Sequence, residues 1–477
     1  MRKALALLLT LVILLTGGMV WAARAIGAPK EDLTFRETTL YGDRAAADGL
    51  KLTLFQHYQR HLLWESRLDF DQTGFQASTD YHFSAAEEEY SHPHKAFGLQ
   101  VVPAYDGGEP IVEEILSSLA PGERMEEDVR LADYYDYYPL NVSVDLDDLF
   151  YGYDPYELRE GQPETPESYA LREIVSFFKI PVIEDEYIHV TASRVASGNS
   201  AECSGWGESD KGDCFNFYVS GAVGEDACYV TFPNRTREGK TVDTSGIPGG
   251  YGIYRLPFRT VDEKNYHGME SYKGPDVIAD ELALFAPLDE SVLVTHFSIS
   301  GDKKDLILHT NENGRYVVTI LDPATGETRQ RLEICEDDPE QWSTVVEKEN
   351  FIFIQTHDYH VYLLSKDADG LYRLKIDAAP TGTNVEERFG FWDSNEHFMT
   401  FDGERLAYAG VMTLPNGISF YDTDPSGDFY LAIYDSDSLA YAASFKSSLT
   451  DANPPLHNYA ENVRPRDSDA VLVSWKG

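Results

Sequence analysis

The feature that most constrains this chain is a unit of four short strand-like runs that recurs about every 50 residues. The clearest copy is Val292–Glu333, where alternating or apolar runs are split by Gly301-Asp302, Asn313-Gly314 and Asp322-Pro323-Ala324-Thr325-Gly326. Gly and Asn accept the backbone angles of tight hairpins, and Asp hydrogen-bonds its own turn, so these dipeptides predict strand–turn–strand repeats. A second unit starts near Ser343 and a third near Glu396, giving starts 51 and 53 residues apart. A single four-stranded antiparallel sheet cannot bury both of its faces, so units of this kind must stack.

The predicted fold is therefore all-β, with two short helical inserts. The clearest units span 292–334, 343–376 and 396–446 within one domain running over 29–477. Upstream, Leu33–Phe83 reads as another four-strand unit, and Pro181–Phe258 again has β character. The inserts are Glu109–Leu119, with Pro110 in its first turn, and Glu167–Lys179, opened by Thr165-Pro166. Val129–Tyr135 and Leu140–Val144 are predicted strands around a break at Pro139. The last strand, Asp469–Trp475, is expected to pair with N-terminal strands and so close the array. Two β-sandwich domains split near Pro275 are the competing architecture.

The run Ile320-Leu321-Asp322-Pro323-Ala324-Thr325-Gly326-Glu327 resembles the outer hairpin of many propeller blades. Ser300-Gly301-Asp302 and Phe401-Asp402-Gly403 resemble the turns before a second blade strand. On these residues the chain resembles the broad class of WD40-like, membrane-anchored extracytoplasmic β-propellers. The Trp-Asp dipeptide of that class is not in place, since Trp392-Asp393 precedes a first strand rather than ending a third. The resemblance implies a β-propeller of six to eight four-stranded blades and, by habit of the class, a binding or scaffold role.

The N-terminus carries the strongest targeting signal. Met1-Arg2-Lys3 is basic, and Ala4–Ala23 is uncharged and apolar apart from Thr10, Thr16 and Gly17-Gly18. About 20 such residues span a bilayer, and leading positive charge places the downstream chain outside. Residues 1–28 are thus expected to be an uncleaved membrane anchor. The alternative is a signal peptide cleaved after Ala22 or Ala25. With 81 acidic against 39 basic residues the net charge is −42, which repels nucleic acid and anionic lipid. The partner expected is a protein or a cell-surface polymer.

No catalytic or cofactor motif is present. G-x-S-x-G and G-x-x-x-x-G-K are both missing. A carbohydrate-active hydrolase or lyase using paired carboxylates is the competing function, but 81 acids single out no pair. His92-Pro93-His94 and His357-Asp358-Tyr359-His360 have imidazole pairs without an evident third ligand. Asp422–Asp428 opens like a calcium loop but has Ile433 where a bidentate Glu belongs. No metal or cofactor is assigned. Gly246–Gly252 reads as a sharp backbone turn rather than a phosphate loop.

Two stretches remain as site candidates. Tyr134, Tyr135, Tyr137 and Tyr138 offer ring faces with polar tips, the usual currency of recognition surfaces. The alternative for them is packing between sheets. Cys203 and Cys214 could close a short disulfide loop in an oxidising compartment.

Overall fold

The structure, a computed structural model, describes residues 33–58, 62–83, 97–103, 110–138, 140–146, 177–197, 201–208, 221–232, 234, 242–260, 275–277, 281–336, 343–348, 350–383, 385–386, 399–411, 428–448, 463–465 and 471–476. The expected N-terminal anchor, His92-Pro93-His94, Cys214, Asp422–Pro425 and most of the second helix lie outside these. The chain divides into two compact units. One contains residues up to Tyr90 together with Trp342–Gly477, and the other is Ser91–Gln341. The divisions fall at these positions and not near Pro275.

The first unit contains three antiparallel sheets. One is the meander Ser343–Glu347, Phe351–Thr356, Val361–Lys366 and Tyr372–Ala378. Its two middle strands are buried along nearly their whole length, as their unbroken apolar runs require. The second is Met399–Phe401, Leu406–Val411, Asp428–Tyr434 and Leu439–Ser447. The third is Leu50–Tyr58, Leu62–Phe70 and Phe75–Phe83. All three feed one apolar cluster that includes Leu52, Leu68, Phe353, Leu363, Leu431 and Phe445. Each fully buried Leu, Phe or Val adds about 1.5–3 kcal/mol of hydrophobic stabilisation.

The chain ends close this unit in a way the local sequence does not show. Order along the chain predicts that Phe35–Gly42 opens the third sheet. Instead it pairs along Leu439–Ser447, as the fifth strand of the second sheet. The place beside Leu50–Leu54 is taken by Val471–Trp475 from the far end of the chain, as anticipated for the last strand. Strand pairing depends on exposed N–H and C=O rows and not on sequence proximity, so either segment can satisfy either edge. Charged and aromatic side chains lock the exchange. Arg44 donates to both Glu37 carboxylate oxygens at 2.8 and 2.9 Å and lies over the Phe70 and Phe75 rings. Tyr441 donates to the same carboxylate at 2.5 Å. At the other end the Arg405 guanidinium stacks 4.1 Å from the centroid of Trp475 and donates to Ala46 O.

The second unit holds the best-formed meander: Val292–Ile299, Leu306–Glu312, Arg315–Leu321 and Thr328–Glu336. The expected turns are in place, with Asn313 and Gly314 both at positive φ. Arg329 forks between two of these turns, donating to Asp305 at 2.8 Å and to Asp322. A neighbouring sheet contains Gly221–Val223, Ala227–Thr231, Gly252–Thr260, Pro275–Val277 and Ala283–Pro287. Tyr229 from that sheet donates at 2.5 Å to Pro323 O in the 322–326 turn. A three-stranded sheet, Arg124–Arg130, Tyr187–Arg194 and Ala201–Glu208, is covered by the helix Pro110–Ser118. Phe97–Pro103 and Leu140–Leu146 form a two-stranded pair.

The boundary of the strand predicted over Val129–Tyr135 needs correcting. Arg124–Arg130 is the strand, and Leu131–Asp133 is a tight 3-10 turn rather than its continuation. The Leu131 carbonyl accepts the N–H groups of both Tyr134 and Tyr135 at 3.0 Å, which curls the chain before the tyrosines.

Candidate functional site

The tyrosine segment lies where the second unit departs from the regular meander. After the 131–133 turn the chain runs antiparallel to residues 180–182. Tyr138 N–H donates to Ile180 O at 2.9 Å, and Val182 N–H to Asp136 O at 3.2 Å. Tyr137 bridges Pro181. This short ladder sends successive side chains to opposite sides, so the four tyrosines have different fates.

Tyr138 is a core residue, only 4 % exposed. Its hydroxyl donates to the carboxylate of Glu186, itself 1 % exposed, and accepts Ile183 N–H at 3.2 Å. A buried carboxylate with a hydrogen bond from a phenol is a structural pairing. Tyr138 therefore leaves the recognition set. Tyr134 and Tyr135 are half-buried against Ile111, Ile115 and Leu131. Tyr137 is 46 % exposed. Burial raises the Tyr134 phenol above its ordinary pKa, and the carboxylates of Glu114, Glu127 and Asp133 raise it further. Tyr134 thus keeps its proton and sits in a negative field. Arg130 draws Asp133 and Glu184 to the same edge, at 3.4 and 3.1 Å.

The glycine-rich loop belongs to the same neighbourhood. Ile247 packs in one apolar cluster with Tyr138, Phe178, Ile180, Phe232 and Tyr254. A side chain at Gly246 would lie 2.5 Å from Lys179 O, so the loop needs glycine to approach the segment that carries Lys179 and Ile180. Tyr254 donates to Gly250 O and holds the loop down from the other side. The loop is packed on its own protein.

The remaining sequence candidates resolve separately. Cys214 lies outside the described residues, so the Cys203–Cys214 pairing has no geometry here. Cys228 is a buried free thiol, and burial pushes its pKa up. In the 357–360 turn, His360 contacts Asp377 at 2.7 Å and stacks on Tyr362 at 4.4 Å. Asp358 accepts from Thr356 at 2.5 Å. These contacts explain the turn without a ligand. Among the described residues no group of three or more His, Cys, Asp or Glu side chains is placed to hold a metal ion. Among them, too, no helix is long and apolar enough to cross a membrane. Asn234 of the sequon Asn234-Arg235-Thr236 is buried and donates to Glu290 O at 2.5 Å, so the folded chain does not present it for glycosylation.

Sequence reasoning missed the acids that complete the site. Glu186 is one of many acids in an acidic chain, and nothing local marks it as the partner of Tyr138. Glu114 was readable as a helix residue, but only the docking of that helix brings it to Tyr134.

The strand pairing defines the class: an all-β protein assembled from antiparallel, mostly four-stranded or five-stranded sheets. No protein-family model matches the chain, and no curated protein matches it. Among solved structures it is similar to the β-propeller domain of Cps50 (Swd1) from Myceliophteria thermophila. That match has 10% identity and a TM-score of 0.21, over 55% of this chain and 81% of that one. TolB from Acinetobacter baumannii matches at 9% identity and a TM-score of 0.21, over 84% of this chain and 81% of that one. A prolyl endopeptidase matches at 12% identity and 0.23, over 84% of this chain and 43% of that one. At these TM-scores nothing about site or activity transfers.

Proposed function

We propose that this protein is a membrane-tethered, extracytoplasmic binding module built as a β-propeller of six to eight blades. Its tyrosine-bearing acidic edge receives a cationic segment of a protein partner. The repeat spacing, the seven sheets formed by the described residues and the exchanged end strands of the first unit support the blade reading. The apolar run Ala4–Ala23 supports the tether.

The single observation that carries the partner class is the setting of Tyr137. It is 46 % exposed, three residues along the chain from Tyr134, whose phenol stands among Glu114, Glu127 and Asp133. An aromatic face with carboxylates around it favours Lys or Arg, by cation–π attraction and charge pairing together. The net charge of −42 works in the same direction and disfavours anionic surface polymers.

The test is binding of the full chain to Lys/Arg-rich and Glu-rich peptides of equal length, with Tyr137→Ala and Tyr134→Phe variants. The reading expects binding of the basic peptide only. Tyr137→Ala should weaken it about 5-fold, the equivalent of one exposed cation–π contact of about 1 kcal/mol. Binding should weaken further with added salt. Unchanged affinity in a folded Tyr137→Ala protein would sink the proposal.

A further inference from the structure

The meander Leu50–Tyr58, Leu62–Phe70 and Phe75–Phe83 ends in a strand whose edge is built differently from its counterparts. A last strand leaves a row of N–H and C=O groups open to another chain, and proteins blunt such rows with charged side chains, bulges or a covering segment. The other meanders do so. Thr328–Glu336 carries Arg329, Arg331 and Glu333 and breaks register twice against its neighbour. Tyr372–Ala378 carries Arg373 and Lys375 and breaks register once. Leu439–Ser447 is covered by Phe35–Gly42, the fifth strand of its sheet. Phe75–Phe83 has none of these protections. It runs for nine residues in unbroken register with Leu62–Phe70, contains no Lys, Arg or Pro, and has Asp80 as its one acid. Among the described residues no strand pairs with its far edge. Gln76, Ala77, Ser78 and Asp80 are exposed.

The two sides of this strand differ. Phe75 lies against the rings of Phe70 and Phe445, at 5.7 and 5.8 Å between centroids. Thr79 shares a hydrogen bond of 2.9 Å with Ser66, and the Tyr81 ring is 5.6 Å from that of Trp64. Residues 75, 77, 79 and 81 therefore carry the core face of the sheet out to its rim. Gln76, Ser78 and Asp80 belong to the opposite face, where Arg67 stands 3.7 Å from Asp80. About Thr79 the residue types are nearly symmetric. An antiparallel copy of the same strand, centred on Thr79, brings Phe75 opposite Phe83, Ala77 opposite Tyr81, Gln76 opposite His82 and Ser78 opposite Asp80. Apolar and aromatic residues then meet on one face and polar residues on the other, with no two acids directly opposed. The two Asp80 residues fall on a diagonal, each beside the Arg67 of its own chain.

We propose that Phe75–Phe83 is the surface through which two copies of this chain associate, joining their 50–83 sheets antiparallel across a two-fold axis at Thr79. The exposed Ala77 is small enough to take the Tyr81 ring of the second copy. The contact closes on itself, because each copy uses its edge on the other and leaves none over. Nine residues a side fall short of the roughly 20–30 of a stable interface, so the dimer is weak and depends on concentration.

Ser78 provides a test by sign. It is exposed and lies opposite Arg67 on the neighbouring strand, so an acid at this position suits the single chain. In the dimer Ser78→Asp sets like charges against Asp80 twice over, and Ser78→Lys sets opposite charges there twice over. Sedimentation equilibrium of the full chain in detergent should show monomer and dimer. Association should tighten with added salt, since copies of net charge −42 repel one another. Ser78→Asp should weaken the dimer about 10-fold and Ser78→Lys should tighten it about 10-fold. Amide exchange over residues 75–83 of the parent should slow as its concentration rises. A parent that stays monomeric at every concentration overturns the proposal, as does exchange that does not slow or a dimer indifferent to both substitutions. So does a shift of the same sign from both, or growth beyond the dimer, since either means an edge that pairs in other registers or with other extended chains.

Discussion

Asp402 shows how single acids are used in this chain. Its carboxylate accepts the N–H groups of Glu404 and Arg405 at 2.9 and 2.7 Å and the Arg405 side chain at 3.0 Å. Asp71, Asp322 and Asp435 cap their own turns in the same way. Part of the acidity that reads as surface charge is thus turn chemistry. Burial works to raise the Asp402 pKa, but the hydrogen bonds from Arg405 and Glu404 and the charge of Arg405 outweigh it and hold the group below the ordinary 3.8. A depressed folded pKa means that the stabilisation is present above about pH 4 and is lost as pH falls through the folded value. Asp402→Asn should therefore be less stable than the parent at pH 7, by about 0.5–1 kcal/mol. The two should converge below pH 3, as urea unfolding at both pH values would show. The same scale explains the tyrosines. Their spacing announces an aromatic segment, but which ring is buried depends on Glu186 and the 180–182 ladder, both distant in sequence.

Among the elements, the hairpins of 292–336, 343–378 and 399–447 are legible because their information is local. Each strand run ends in a residue that tolerates a turn, and middle strands such as Phe351–Thr356 and Val361–Lys366 are mostly apolar on both faces. The first strand is misplaced by sequence reading for the opposite reason. Phe35–Gly42 has ordinary β alternation, and alternation does not name a partner. The residue that commits it is Gly42, at φ +72°, where an added Cβ would lie 2.0 Å from Ala440 O. Gly42→Ala should lose about 1–2 kcal/mol to the backbone angle alone, with the overlap adding to it. Hydrogen exchange should then show Phe35–Gly42 and its partner Leu439–Ser447 deprotected together, while the 292–336 sheet stays protected. Equal protection in both proteins would mean that the strand is held by its side chains instead.

For the molecule as a whole, the exchanged ends matter most. The first unit joins chain segments from before and after the second, so its core cannot complete until the last strand is made. Removing residues 471–477 exposes the Leu50–Leu54 edge and takes Trp475 from Arg405. The truncated chain should show a lower first thermal transition and concentration-dependent aggregation. The 292–336 sheet should still unfold at its original midpoint. A single unchanged transition would refute this division of labour.

The repeat unit, its turns, the all-β class and the acidic, tyrosine-marked character of the chain were determined by the sequence alone, since each depends on residues within a few positions of one another. Tertiary structure decided which end strand fills which sheet edge, that Tyr138 is a core residue, and that Glu114 and Glu186 belong to the tyrosine site. The physical reason is common to all of these: backbone edges and apolar faces are interchangeable until the surrounding packing leaves room for one partner and excludes the others.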